Sequence, residues 1–295
     1  MRKGLFIGLC GMDVVFYEGK PIPQEDEKMK VSDVRSAIGG PAANAAITNV
    51  LLGGQSTVVS YIGDSPIGRV IKQQMADFGI TVIDMCQDSD VKCISSIYVN
   101  TENATRTILS GRNAIHHLRD TAVVAELIRS HDYVLYDGHF PQLDDVLLGT
   151  VEETQKPLVI DVGAWKDTFN CILCHNPILI CSQVFRNEDG QDGIDLMKKF
   201  GMKQVAITRG PNPVLYKTDH MEHRQSIEVP KVNAIDTLGA GDIFHGAFCY
   251  FMFEKNLGFE GALRMACDVA STSTTVYSVV EGVKQYLRQH CLPEV

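Results

Sequence analysis

Asp236 and Asp242 bracket the segment "DTLGAGD", which stands directly before the apolar run "IFHGAF". Small residues at Gly239, Ala240 and Gly241 let backbone N–H groups converge on a close ligand, and a helix start favours an anion there. A carboxylate beside an anion site is electrostatically unfavourable unless chemistry requires it. If the anion is the transferable phosphate of a nucleotide, Asp242 can accept the proton of an incoming hydroxyl. General-base help of that kind is worth roughly 10²–10⁴-fold in rate. The amides at the helix start would meanwhile stabilise charge on the phosphoryl group. Asp242 also reads as a plain helix cap, which acids often supply. Spacing alone leaves both readings open.

The elements that must position these residues follow a clear rhythm. Short apolar runs alternate with amphipathic stretches, as in a parallel α/β sheet. The runs "LFIGLCG" (5–11), "STVVSYIG", "ITVIDM", "DYVLYDG", "LVIDVG", "ILICS" and "KQVAITRG" read as strands. "PAANAAITNVLL" (41–52) and "IGRVIKQQMADFG" read as helices, the first opened by Pro41 and stopped by Gly53 and Gly54. Two helices at about 240–254 and 260–275 are expected to close the fold. Residues 13–36 and 91–112 break the rhythm with alternating polar and apolar residues, so they read as antiparallel strands with one solvated face. The expectation is one domain over 1–295, with those two stretches forming a small sheet over a site.

The 295 residues, 45% hydrophobic and 21% charged, have an ordinary globular composition. A net charge of −9 leaves no basic stripe for nucleic acid. No apolar run approaches the roughly 18 residues of a membrane span. The run from Leu5 to Cys10 is shorter than a signal-peptide core and reads as the first buried strand. Nine cysteines suggest reduced thiols and a cytoplasmic setting. "CILCH" (Cys171 to His175) has the spacing of a haem attachment, but its context argues against haem, redox or zinc chemistry. Cys10, Cys181, Cys249 and Cys267 read as core residues.

In a parallel sheet, ligands sit beyond the carboxyl ends of the strands. Asp13, Gly39, Gly40, Asn44, Asp137, Asp161 and Thr208 lie at such ends. There is no G-x-x-x-x-G-K-[ST] and no G-x-G-x-x-G, so the anion site falls to the 239–241 segment.

Taken together, "DTLGAGD" (236–242), "GGPAANAA" (39–46), "IGDSPIG" (62–68) and "IGLCGMD" with Asp13 resemble the signatures of the ribokinase-like (PfkB) carbohydrate kinases, in order and spacing along nearly the whole chain. The resemblance implies a Rossmann-like, mostly parallel sheet flanked by helices, with a small β-sheet lid. It implies transfer of the ATP γ-phosphate to a sugar hydroxyl with Mg²⁺ present. Asp242 would be the base, and Gly239, Ala240 and Gly241 the anion hole. Asp13, Gly39, Gly40 and Asn44 would hold sugar hydroxyls, with Asp137 a further candidate. Arg106 or Arg112 from the lid could reach the travelling phosphate, and Lys28 an anionic group on the substrate. Thr208, Gly210, Thr237, Gly239 and Gly241 would face the nucleotide.

"TRTIL" (105–109) is similar to a segment of ketohexokinases, which favours a ketose such as fructose. A monovalent cation near the C-terminal helices and a homodimer through the lid are further expectations. Two departures stand out. The family's N-x-x-E segment reads "CSQVFRNEDG", with Ser182 and Phe185 and no matching Glu. Pro213 replaces the last glycine of the nucleotide loop in "TRGPNP" (208–213), where a positive φ is closed to it. A nucleoside kinase of the same fold and a non-catalytic sugar sensor are the rival readings.

Overall fold

The computed structural model describes residues 1–87, 93–103, 105–111, 117–166 and 168–293. Among these, nine strands form the main sheet. They are β1 (Lys3–Ile7), β4 (Gln55–Ser60), β5 (Thr81–Asp84), β8 (Tyr133–Tyr136), β9 (Leu158–Val162), β10 (Ile178–Ser182), β11 (Gln204–Arg209), β12 (Asn212–Thr218) and β13 (Gln225–Ile227). The order runs β13-β12-β11-β10-β9-β8-β1-β4-β5, parallel from β11 to β5. All four residues of β8, "YVLY", are buried, as expected of a parallel strand covered on both faces.

A second sheet is built from β2 (Gly11–Glu18), β3 (Asp33–Gly39), β6 (Ile94–Asn100) and β7 (Thr105–Ser110), in the order β3-β2-β6-β7. Its strands come from the two stretches that broke the sequence rhythm. Val15, Tyr17, Ile97 and Val99 bury one face of it against Leu238 and Tyr277 of the main body. The other face carries Val34, Ile94 and Leu109, all exposed. Arg112 lies outside the described residues.

The helices are α1 (Pro41–Leu51), α2 (Pro66–Asp77), α3 (Ala122–Ser130), α4 (Asp144–Thr154), α5 (Phe169–Leu173), α6 (Gly193–Phe200), α7 (Ala240–Cys249), α8 (Gly258–Ser273) and α9 (Val279–Gln289). "GDSPIG" is a helix start. Ser65 accepts from the Gly68 amide at 3.1 Å, Pro66 opens the first turn, and a Cβ on Gly68 would lie 2.4 Å from the Gly63 carbonyl. α7 packs on α1, and Gly246 is the reason they can meet closely: a Cβ there would fall 2.3 Å from the Ala45 carbonyl.

Three expectations change. The run 5–11 is two strands, because the chain leaves the main sheet after Ile7 and joins the smaller one at Gly11. Between them Leu9 N–H donates to the Asp137 carboxylate at 2.8 Å instead of to a neighbouring strand. The helix expected over 240–254 ends its α-helical part at Cys249 and closes with a π turn over Tyr250–Glu254. A third C-terminal helix, α9, follows, and β12 and β13 extend the sheet antiparallel. Cys10, Cys181, Cys249 and Cys267 are buried, while Cys171 and Cys174 are exposed. No group of three or more potential metal ligands occurs among the described residues, and no helix there is long and apolar enough to cross a membrane.

Candidate active site

The start of α7 is open. Gly239 precedes it in the left-handed region (φ 72°) and no side chain caps the helix. Ala240 N–H turns back to the Thr237 carbonyl and Ile243 N–H bonds that of Gly239. The amides of Gly241 and Asp242 are therefore left for a ligand. A Cβ on Gly241 would meet nothing within 4 Å, so that side of the first turn is open.

Asp242 is half-buried in the first turn. Its Oδ2 accepts from Asn44 Nδ2 at 2.7 Å, which joins α7 to α1. Burial pushes its pKa up to about 7; the charges of Asp161 and Asp137 add to this, while the Asn44 hydrogen bond and His245 oppose it. A carboxyl titrating there can take a proton near neutral pH. Asn44 is 4% exposed, and its Oδ1 is buried without a hydrogen-bond partner. An orphaned buried acceptor needs a donor, and a ligand hydroxyl would supply one.

The double glycine has a geometric cause. A Cβ on Gly39 would lie 2.1 Å from Asp13 Oδ2, so only glycine lets the Asp13 carboxylate lie against the chain. Gly40 has φ 99°, and a Cβ there would be 2.4 Å from the Leu9 carbonyl. Burial raises the Asp13 pKa above the usual carboxylate value, opposed by a hydrogen bond from Ser95.

Arg106 of β7 donates to Thr237 Oγ1 at 2.9 Å, which ties the smaller sheet to the segment before α7. Tyr17 makes a second tie, donating its hydroxyl to Asp236 Oδ2 at 2.8 Å. Thr208 ends the parallel part of the sheet with its hydroxyl on the Cys181 carbonyl (3.3 Å), and Gly210 (φ 59°) faces open space. Pro213 lies in β12, opposite the register shift between Ile207 and Arg209, and its carbonyl accepts from Arg209 Nε at 2.7 Å. The proline therefore starts a hairpin strand where no ladder N–H is needed.

Asp137 is turned inward. Its oxygens accept from the amides of Leu9 (2.8 Å), Ala42 (3.3 Å) and His139 (3.1 Å), and from the His139 ring (3.0 Å). It thus anchors the start of α1 beneath the site. Lys28 is exposed in the connection between β2 and β3. Phe185, in the segment lacking the family's Glu, is fully buried against Trp165 and Phe169. A Mg²⁺ ion would be held largely by nucleotide phosphates and water, since the described residues offer no ready cage.

Tyr17, His139, Lys166 and His245 join the site without having been singled out in the sequence. Lys166 Nζ donates to the Gly138 carbonyl at 3.2 Å. Burial works against charge on the His139 ring, but Asp137 outweighs it and holds the ring above the usual histidine value. The spacing of His245, three residues after Asp242, was the one available signal.

The sequence profile of the pfkB family carbohydrate kinases matches residues 1–158 and 179–285. The chain belongs to this family. Its reaction is accordingly an ATP-dependent phosphorylation of a carbohydrate alcohol group. The chain is 25% identical to a ribokinase of Dictyostelium discoideum over 303 residues, covering 91% of this chain and 93% of that one. Its fold is similar to that of a Giardia lamblia ribokinase, with a TM-score of 0.82 and 20% identity over 98% of this chain and 99% of the other. An Arabidopsis thaliana ribokinase complexed with ribose and ATP has a TM-score of 0.75 at 18% identity, over 97% and 98% of the two chains.

Proposed function

We propose that this carbohydrate kinase phosphorylates a monosaccharide, with Asp242 as the general base. The observation that carries the reading is the Asn44–Asp242 pair at the uncapped start of α7. The sugar is held by Asp13, the 39–40 backbone and the orphaned Oδ1 of Asn44. The γ-phosphate lies against the amides of Gly241 and Asp242, and the nucleotide extends past Thr237 toward Thr208 and Gly210. Asp242 takes the hydroxyl proton as the new O–P bond forms. The bond from the γ-phosphorus to the bridging oxygen breaks, and ADP leaves with that electron pair. A Mg²⁺ ion bound with ATP would supply charge that offsets the phosphates. The smaller sheet is the lid, and Arg106 stands where it can turn from Thr237 to the phosphate.

Two sugar classes are supported. The names of the curated relatives favour a pentose, and the "TRTIL" segment of β7 favours a ketose such as fructose. ADP release from purified protein with Mg-ATP, in potassium and in sodium buffer, tests ribose, deoxyribose, fructose and a set of nucleosides. Turnover on a sugar that is lost in Asp242→Asn supports the reading. Turnover on nucleosides alone would overturn it, as would sugar binding without turnover.

The exposed Val34, Ile94 and Leu109 on the outer lid face also support pairing with a second copy through the lid. Sedimentation of the wild type and of Leu109→Lys at micromolar concentration tests this. A dimer that the substitution dissociates is expected, and a monomeric wild type would remove the idea.

A further inference from the structure

His245 is 4% exposed and sits one turn beyond Asp242, between α7 and the main sheet. Its Nδ1 lies 2.7 Å from the Gly241 carbonyl and 3.3 Å from Asp161 Oδ2. Its Nε2 lies 3.1 Å from the Ile180 carbonyl. Carbonyl oxygens only accept, so each ring nitrogen must donate. A neutral imidazole has one N–H and would aim a lone pair at an oxygen on one side or the other. The ring that satisfies all three contacts is the imidazolium, with Asp161 as its counter-ion. A buried cation without such a partner would be strongly disfavoured.

We propose that His245 is a positioning residue for phosphoryl transfer: as a buried imidazolium it fastens the Gly241 turn of α7 to β9 and β10 and neutralises the Asp161 carboxylate behind Asp242. The inference rests on Asp242 being the base. Burial already raises the Asp161 carboxyl and His245 opposes that, so without the imidazolium Asp161 and Asp242 would compete as buried like charges and the pair would take its proton at higher pH. Other ionisable groups face this region. Asp137, paired with the His139 ring at 3.0 Å, stands at the end of β8 and its charge also acts on Asp161 and Asp242, and Cys249 lies one turn further along α7 with its thiol raised by burial and by Asp161. None of these replaces the contact His245 makes with Asp161.

The test is the pH dependence of kcat for the wild type, His245→Gln and the double variant His245→Gln/Asp161→Asn. In His245→Gln the acid limb should move to higher pH by about one unit, a roughly tenfold loss on that limb with recovery at alkaline pH. The double variant, lacking both charges, should return the limb toward its wild-type position. A uniform loss at every pH with the limb unmoved would mean a merely structural role and would overturn the proposal. Nitrogen-resolved NMR of the wild type adds a reading independent of variant folding and of turnover. Two ring N–H protons on His245, assigned through its own Cβ, are expected, and a single one would overturn the imidazolium. A wild type without sugar kinase activity would instead defeat the kinase reading, while the ring-proton count still decides the charge.

Discussion

Asn44 gives its amide to Asp242 at 2.7 Å and keeps its carbonyl oxygen unpartnered. One side chain on α1 thus faces the Asp242 carboxylate with one end and holds an unpartnered acceptor at the other. These two ends have separable consequences.

Asn44→Ala should change both the acid limb and the sugar affinity. The donated hydrogen bond favours the Asp242 carboxylate, so its loss should shift the limb of kcat to higher pH. Losing one hydrogen bond to a substrate hydroxyl should raise the sugar KM about tenfold. Initial rates against sugar concentration, repeated across pH, measure both. A change in the limb without a change in KM would detach Asn44 from the sugar.

Asp242→Asn should abolish turnover and stabilise the fold. The carboxyl titrates at about 7 in the folded protein against 3.8 ordinarily, so the native state binds the proton more tightly over that interval. This group therefore lowers stability progressively as pH rises from about 4 through 7. Melting of wild type and variant at pH 5 and pH 8 tests the sign. The variant's gain should be larger at pH 8, at about 2–4 °C per kcal/mol for a chain of this size. An equal gain at both would contradict the raised value.

Gly39→Ala and Gly241→Ala should behave in opposite ways. At Gly39 the new methyl meets Asp13 Oδ2 at 2.1 Å, so thermal stability should fall and the sugar KM should rise. At Gly241 it meets nothing, and alanine is the better helix former by about 1 kcal/mol, so stability should hold or rise. That methyl would stand beside the two amides and should raise the KM for ATP. Unchanged ATP kinetics in Gly241→Ala would move the phosphate site elsewhere.

Tyr17→Phe removes the smaller sheet's bond to Asp236 while sparing its edge-on contact with Tyr277, whose ring centroid is 4.7 Å away. Asp236 Oδ2 would lose a buried partner, costing roughly 1–3 kcal/mol. A lower melting temperature with a several-fold higher sugar KM is expected. Unchanged kinetics in a destabilised protein would make the contact structural only.

Much of this arrangement was legible in the residues. Parallel strands read as apolar runs because both faces are covered, and the smaller sheet read as alternation because one of its faces is not. The uncapped helix start at Gly239 was legible for a local reason: small residues followed by an acid mark such a turn within a short window. Elements whose logic is non-local were harder. The π turn over Tyr250–Glu254 and the hairpin strand at Pro213 depend on packing and on a register shift, which no short window displays. Asp137 accepts three backbone amides, from β8's own end, the β1–β2 link and α1, a bracing that its sequence neighbours do not display.

The sequence by itself determined which chemistry is available: an acid beside free amides, a double glycine beside Asp13, and an amide on the first helix. These are fixed by residue type and short spacing. Only the tertiary structure decided the state of that acid. Asn44 is 198 positions away from Asp242, Asp137 follows β8 and Asp161 stands on β9, and His245 reaches Asp161 from α7. A proton affinity is the sum of burial and surrounding charge, and folding alone brings those charges together.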